Sequence, residues 1–476
     1  MQTSQNCIYR ISPRTMKVKE LIKQDPGFQY VIDSMELMSS AGRRAMLDET
    51  FSDDAAVLER RWTLLQQAVD VVGDTAKVRA YNDLRHCLMQ LHDLQGTLLS
   101  LASHQVLTEV ELFEVKLLAH LTGKATVALA DLGLSDGLPL PSLADVFRAL
   151  DPDTTGIVHF YIYDSYDPRL PALRRELKQL QESGGDAQRI ADLVAEQNDI
   201  QQRVCVRLSD FLATRHADLA AALDTLALTD FVVAKAVLVR QMGLVHPRLA
   251  GATSYHGLFN PRLRQRNADL GLRYQPVDID LTHGVTLVTG ANMAGKTVLL
   301  KSVGTAQMMV QCGFFAPAAE AAVEPVAAVV SSIGDEQNEM NGLSSFASEI
   351  IKISDIVERC RHERLLVLVD EPARTTNPVE GKALVQALIE MLDAADSLSL
   401  VTTHYSQLGT TCRRLRVRGF VEDLCDMPLN PQNINRFIDY SLTADTTDEV
   451  PHEALRIASI LGCDADLLER AKKSLG

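Results

Sequence analysis

The chain reads as a mixed fold, a mostly α-helical N-terminal region followed by a C-terminal α/β region, and three observations predict it. From about Val18 to Leu132 apolar residues recur at helical spacing, as in AVLERRWTLLQQAVDVV, with few glycines or prolines between them. The helical pattern resumes with RLPALRRELKQLQES and continues to about Met242. Beyond His246-Pro247 short apolar strands, VTLVTG, LLVLVDEP and LSLVTTH, alternate with helical stretches, which implies a parallel sheet with helices on its faces. The domains are therefore expected at 1–246 and 247–476.

Within the first region, long amphipathic stretches such as LMQLHDLQGTLLSLASHQVL present Leu and Met stripes that suit helix-to-helix packing. The texture changes at LPLPSLADVFRALDPDTTGIVHFYIYDSYDP, where the β-branched and aromatic content of IVHFYIY predicts a short sheet or hairpin, part of an insertion near 139–200. DPDTTG resembles the opening of a calcium-binding loop, but Ile162 stands at the twelfth position where a bidentate Glu is needed, so a turn is expected. Ser183, Gly184 and Gly185 predict a bend between two antiparallel helices.

The 476 residues carry 62 acidic against 47 basic side chains, a formal charge of -15, so no global basic field exists to hold nucleic acid, and only a local Lys/Arg stripe could do so. The eight cysteines form no CxxC pair, which speaks against a zinc ribbon and a disulfide framework. No segment has the apolar length of a membrane span or a secretory signal, and a cytoplasmic protein is the expectation.

The strand Val285–Thr289 runs into GANMAGKT, then into the helical VLLKSVGTAQMMVQ. This is G-x-x-x-x-G-K-[ST] in its required strand, loop and helix setting. The residues Gly290, Ala291, Asn292, Met293, Ala294 and Gly295 can wrap backbone N–H groups around phosphates, Lys296 can reach the terminal phosphates, and Thr297 can ligate magnesium. LLVLVDEP is an apolar strand that delivers Asp370 and Glu371 to its end, where Asp370 can hold Mg2+ and Glu371 can polarise a water. LSLVTTH ends at His404, placed to sense the γ-phosphate. Between these motifs Ser344 and Ser345 precede a helix; they read either as an N-cap or as groups that meet the γ-phosphate of a partner subunit's ATP.

The set GANMAGKT, NGLSSFASE, LVLVDEPARTTNPVEG and TTHYSQL resembles, in content and order, the MutS family of ABC-type P-loop ATPases. SMELMSSAGRRAMLDETF and TDFVVAKAVLVRQMGLVHP resemble that family's helical core and closing lever helix, with the insertion where the family carries its DNA clamp. The resemblance implies ATP hydrolysis with Mg2+ at Thr297 and Asp370, phosphate binding by the GANMAGKT loop, hydrolysis assisted by Glu371 and His404, and a dimer whose composite sites use Ser344 and Ser345 in trans. Departures stand beside it. Only about thirty residues precede the core, too few for a mismatch-reading domain. GKT replaces the usual GKS, and Pro372-Ala373-Arg374 replaces the usual residues after the Asp-Glu pair. The family's adenine-stacking aromatic would fall near Leu272, with Tyr274 as a substitute candidate.

LDPDTTGIVHFYIYDSYDPRLPALRREL and INRFIDYSLTADTTDEVPHEALRIASILG are similar to the MutS-like ATPases associated with reactivation of adenosylcobalamin-dependent lysine 5,6-aminomutase. One expectation is therefore an ATP-driven dimer that remodels a protein client, an aminomutase. The other is a DNA-binding clamp, with Arg262-Leu263-Arg264-Gln265-Arg266 and Arg413-Arg414-Leu415-Arg416-Val417-Arg418 as candidate phosphate contacts, each also readable as a solvated turn.

Overall fold

The computed structural model describes residues 16–291, 294–334, 345–421, 434–445, 454–460 and 462–475. They form two compact units, one of Met35–Glu49 with Leu64–Val237, the other of the described residues through Ser34, Thr50–Thr63 and Leu238 onward. The division thus falls at Leu238, earlier than the boundary expected at 246/247, and two N-terminal segments join the C-terminal unit.

The first of these units is helical. Its core is a cluster of buried aliphatic side chains, among them Leu84, Leu88, Leu112, Leu118, Leu129, Leu150 and Leu212. The helix Glu109–Leu132 begins with a reciprocal cap: Glu111 N donates to Thr108 Oγ1 at 3.3 Å and Thr108 N donates to Glu111 Oε2 at 2.8 Å. It ends at Gly133, whose φ of 75° supplies the left-handed stop. The helices Leu170–Ser183 and Ala187–Thr214 flank the predicted bend, again closed by a left-handed glycine, Gly184. Buried Asp230 accepts from Met38 N, Ser39 N and Ser39 Oγ, and so caps the start of the helix Ser40–Asp48.

The hairpin expected in IVHFYIY is not formed: residues 157–163 are irregular, followed by a short 3-10 turn, Asp164–Tyr166. Among the described residues no strand pairs with them, and Phe160 and Tyr163 are buried while Tyr161 stays 48% exposed. The anchor is Lys116, wholly buried, whose Nζ donates to Asp151 Oδ1 at 3.1 Å, His159 O at 3.1 Å and Tyr163 Oη at 2.9 Å. Asp151 also accepts from Thr155 Oγ1 and Gly156 N; burial works to raise its pKa, but these bonds and Lys116 outweigh it and hold the carboxyl at about 2. The carboxylate likened to a calcium ligand is thus engaged in a turn and an ion pair.

Among its described residues the second unit contains ten strands, β1 (Arg248–Leu249), β2 (Thr253–Leu258), β3 (Val277–Leu281), β4 (Gly284–Thr289), β5 (Glu320–Val323), β6 (Ala328–Ser332), β7 (Leu365–Asp370), β8 (Leu398–Thr402), β9 (Arg413–Phe420) and β10 (Ile438–Ala444). A six-stranded sheet runs in the order β10-β9-β4-β8-β7-β6, parallel throughout except for the antiparallel edge strand β10. A mixed four-stranded sheet, β1-β5-β2-β3, accompanies it and was not anticipated. β4 is buried at every position and β8 likewise, which is why their apolar runs read so clearly as central strands.

The helix after β4, Lys296–Gln311, is buried almost throughout. Its inner polar groups are all partnered: Tyr255 Oη donates to Gln307 Oε1, Gln307 Nε2 donates to Gln311 Oε1 and Glu324 O, and Gln311 Nε2 donates to Ser52 O and Val326 O. The N-terminal segments join the unit here. Thr305 Oγ1 donates to Asp25 Oδ1 at 2.9 Å, Phe28 meets Phe314 edge to face, and the indole N–H of Trp62 donates to Val310 O at 3.1 Å.

At the amino end of the parallel strands four charged side chains close on one another. His283 places Nε2 at 2.9 Å from Glu324 Oε2 and Nδ1 at 2.5 Å from Asp396 Oδ1, while Arg364 donates to Glu324 Oε1 at 2.9 Å and Asp396 Oδ2 at 2.6 Å. A ring that faces carboxylates at both nitrogens can donate to both only as imidazolium. The bond to Glu324, with Asp396 adding to it, raises the pKa of His283 against the pull of burial.

Candidate nucleotide site

Three parallel strands, β4, β8 and β7, lie side by side, with Val288 opposite Thr402 and Thr402 opposite Asp370. Because parallel strands share a direction, the segments that follow them collect at one edge of the sheet, and this is where the sequence motifs meet.

The loop after β4 depends on two glycines. Gly290 has φ 145° and Gly295 has φ 79°, conformations that a side chain would strain, and a Cβ on Gly295 would press into the ring of Tyr440. Gly295 caps the helix Lys296–Gln311, whose first turn exposes backbone N–H groups to the loop. Lys296, 5% exposed, folds back over the loop: its Nζ donates to Gly290 O at 2.9 Å and Ala291 O at 3.2 Å, and lies 3.2 Å from Glu371 Oε1. Thr297 Oγ1 donates to Asp370 Oδ2 at 2.6 Å, and Thr402 Oγ1 donates to Asp370 Oδ1 at 2.6 Å, so both carboxylate oxygens are fixed.

Glu371 sits one residue past β7 with φ 47°, a left-handed conformation unusual for a residue with a side chain. Its N–H donates to Thr402 Oγ1 at 3.0 Å. Its carboxylate faces three cationic or imidazole groups, Lys296 at 3.2 Å, Arg374 at 3.7 Å and His404 Nδ1 at 3.9 Å. His404 Nδ1 is buried without a hydrogen-bond partner among the described residues, and its ring lies on Tyr405 with centroids 4.3 Å apart. Burial lowers the pKa of His404, with Glu371 pulling the other way, which favours the neutral ring at neutral pH.

Gly290, Ala291, Ala294, Gly295, Lys296, Thr297, Asp370, Glu371 and His404 therefore converge at one sheet edge. Asn292, Met293 and Ser344 lie outside the described residues; Ser345 opens the helix Ser345–Cys360. Tyr274 is half-buried and its hydroxyl accepts from Asn260 N at 2.8 Å, while Leu272 is 45% exposed. The arginine clusters are not turns. Arg262–Arg266 lie on the helix Pro261–Asp269, where Arg264 caps the carbonyl of Met242 and stacks on Phe259. Arg413–Arg418 form β9, with Arg413 bonded to Asp280 O, Arg414 to Thr410 O, Arg416 paired with Asp445 and Arg418 with Asp439. Alternation accounts for three of them: Leu415 and Val417 point inward and put Arg414, Arg416 and Arg418 on the other face, while Arg413 opens the strand.

Several residues at the site were not found by reading the sequence. Thr402, the first residue of the TTH motif, binds both Asp370 and Glu371 N. Thr289 Oγ1 donates to Asp445 Oδ2 at 2.7 Å, which ties β4 to the end of β10. Tyr440, distant in sequence, lies against the loop at Gly295, and only the antiparallel pairing of β10 with β9 brings it there.

Residues 286–475 match the family model of MutS domain V. The chain is 36% identical over 188 residues to endonuclease MutS2 of Thermus thermophilus, covering 39% of this chain and 24% of that protein. Endonuclease MutS2 of Geobacillus sp. is 30% identical over 296 residues, 59% of this chain and 35% of the relative, and that of Pelotomaculum thermopropionicum is 31% identical over 287 residues, 60% and 34%. The chain thus spans between 24% and 35% of the length of these relatives. These matches support a MutS-family ATPase. Among the described residues no helix is long and apolar enough to cross a membrane.

Proposed function

We propose that the chain binds and hydrolyses ATP and works as a dimeric conformational switch. The observation that carries this reading is the convergence of Lys296, Thr297, Asp370, Glu371 and His404 at one edge of a parallel sheet, led by the 2.6 Å bond between Thr297 Oγ1 and Asp370 Oδ2. Two adjacent hard oxygen donors at the head of a phosphate loop suit Mg2+, which would be held by Thr297 and Asp370. When bound, the ion would neutralise phosphate charge.

The chain's own groups do the rest. Backbone N–H groups of Gly290–Thr297 cradle the phosphates, and Lys296 leaves the loop carbonyls and Glu371 to meet them. Glu371, released from Lys296, orients a water for attack on the γ-phosphorus, with His404 beside it as a neutral hydrogen-bonding sensor. Ser344 and Ser345 meet the nucleotide of a partner subunit, and closure of the two copies around ATP supplies the switch.

The action of that switch is on a protein client, and by the resemblance above the client is an adenosylcobalamin-dependent aminomutase. The acidic balance of the chain and the internal pairing of Arg413, Arg414, Arg416 and Arg418 support this reading over a phosphate-binding surface. The second reading, a DNA-binding clamp, is favoured by the name of the relatives, endonuclease MutS2.

Glu371→Gln tests the catalytic assignment: ATP binding stays within a few-fold of the parent while kcat falls about a hundredfold or more. Hydrolysis at the parent rate would sink it. Capture from cell extract with the tagged Glu371→Gln protein and ATP, with and without nuclease, separates the two roles. A nuclease-insensitive cofactor enzyme supports the client; DNA bound with an affinity that falls steeply with salt supports the clamp.

A further inference from the structure

The turn after β7 holds two residues with side chains in the left-handed region, Glu371 at φ 47° and Ala373 at φ 59°. Such a conformation is strained and persists only where its surroundings over-determine it. The surroundings are specific. Ala373 N donates to Glu349 Oε1 at 3.1 Å, and Ala373 O accepts from Tyr405 Oη at 3.1 Å. Both polar groups of one backbone unit are therefore gripped by side chains from different elements, the helix Ser345–Cys360 and the segment that carries His404. Gly381 completes the grip, since a Cβ there would overlap the Tyr405 hydroxyl and crowd the Ala373 carbonyl. Pro372-Ala373-Arg374, which departs from the resembled family, is the stretch being held.

We infer that Tyr405 and Glu349 are positioning residues for Glu371, clamping the turn so that its carboxylate stays on the phosphate side of the sheet edge. The inference rests on the reading of Glu371 as the hydrolytic group. It has a consequence for subunit coupling. Glu349 lies one helical turn after Ser345, so any displacement of that helix by a partner's nucleotide is delivered to the Ala373 N–H and from there, two residues along, to Glu371.

The test compares kcat, KM for ATP and Kd for Mg-ADP in the parent, Tyr405→Phe, Gly381→Ala and their double variant, and in Glu349→Gln and Glu349→Ala. Tyr405→Phe keeps the ring on His404 and removes only the hydroxyl. We expect kcat to fall about tenfold or more with KM and Kd within twofold of the parent, because misplacing a catalytic group by about 1 Å is costly while phosphate binding is untouched. The double variant should be no slower than the slower single, since both remove one bond. Glu349→Gln, which keeps an acceptor oxygen, should retain more activity than Glu349→Ala. Parent kcat in Tyr405→Phe, additive losses, or losses in Kd equal to those in kcat would each overturn the clamp alone. A parent chain that binds ATP without turnover would overturn the assignment of Glu371, and the clamp with it.

Discussion

The two ends of the six-stranded sheet are built to opposite rules. At the amino end His283, Glu324, Arg364 and Asp396 form a closed ring in which every charge has an opposite charge within hydrogen-bond reach. At the carboxyl end one carboxylate, Glu371, is shared among Lys296, Arg374 and His404; the backbone there is left-handed at Glu371 and Ala373, and a buried ring nitrogen of His404 has no partner among the described residues. The same parallel strands feed both. Satisfied charge stabilises, whereas charge held in strained, incompletely matched surroundings is available for chemistry.

Three changes break or sharpen this contrast. Lys296→Ala gives the largest effect: the ATP Kd, measured by calorimetry, rises about a hundredfold or more, because a charged donor to the phosphates is worth a few kcal/mol, while the melting temperature moves by about 3 °C or less. Glu324→Gln reverses the pattern. It leaves the two cations at the opposite end with only one of their two shared carboxylates, Asp396, and urea unfolding should show a loss of about 1–3 kcal/mol with kcat within twofold of the parent. A Glu324 variant slowed as much as Lys296→Ala would show the two ends to be coupled rather than distinct.

The smallest effect is on pH. His283 has its folded pKa raised above the ordinary 6.5, so its contribution is complete below that value and is lost as pH rises through the raised value. Asp396, its pKa lowered chiefly by the bond from Arg364, contributes above 3.8 and loses that contribution as pH falls through the lowered value. The gap in melting temperature between the parent and His283→Asn should therefore narrow as pH rises above 6.5. A gap constant from about pH 6 to pH 9 would show that the ring is not protonated in the fold.

Central strands were legible from the sequence because burial on both faces leaves unbroken apolar runs, as in β4, β7 and β8, and the loop between β4 and its helix was legible because glycine and lysine are required at fixed places. β9 was misread because its arginines drew attention from the alternating Leu415 and Val417. IVHFYIY carries strand-like composition yet forms none, since a strand needs a partner and Lys116 offers its backbone and rings an alternative anchor. Segments 16–34 and 50–63 were assigned to the helical region by local periodicity; Thr305, Val310 and Gln311, more than two hundred residues away, decide otherwise. The clamp on Ala373 is equally invisible, because Glu349, Gly381 and Tyr405 meet only in the folded unit.

Trp62 is the only tryptophan in the chain, it is 1% exposed, and its indole N–H is bonded to Val310 on the helix that starts at Lys296. The molecule thus carries a single native indole, excitable apart from its ten tyrosines, whose emission senses both that helix and the neighbouring His246 ring, so nucleotide arrival can be timed by stopped-flow optics without attaching any dye.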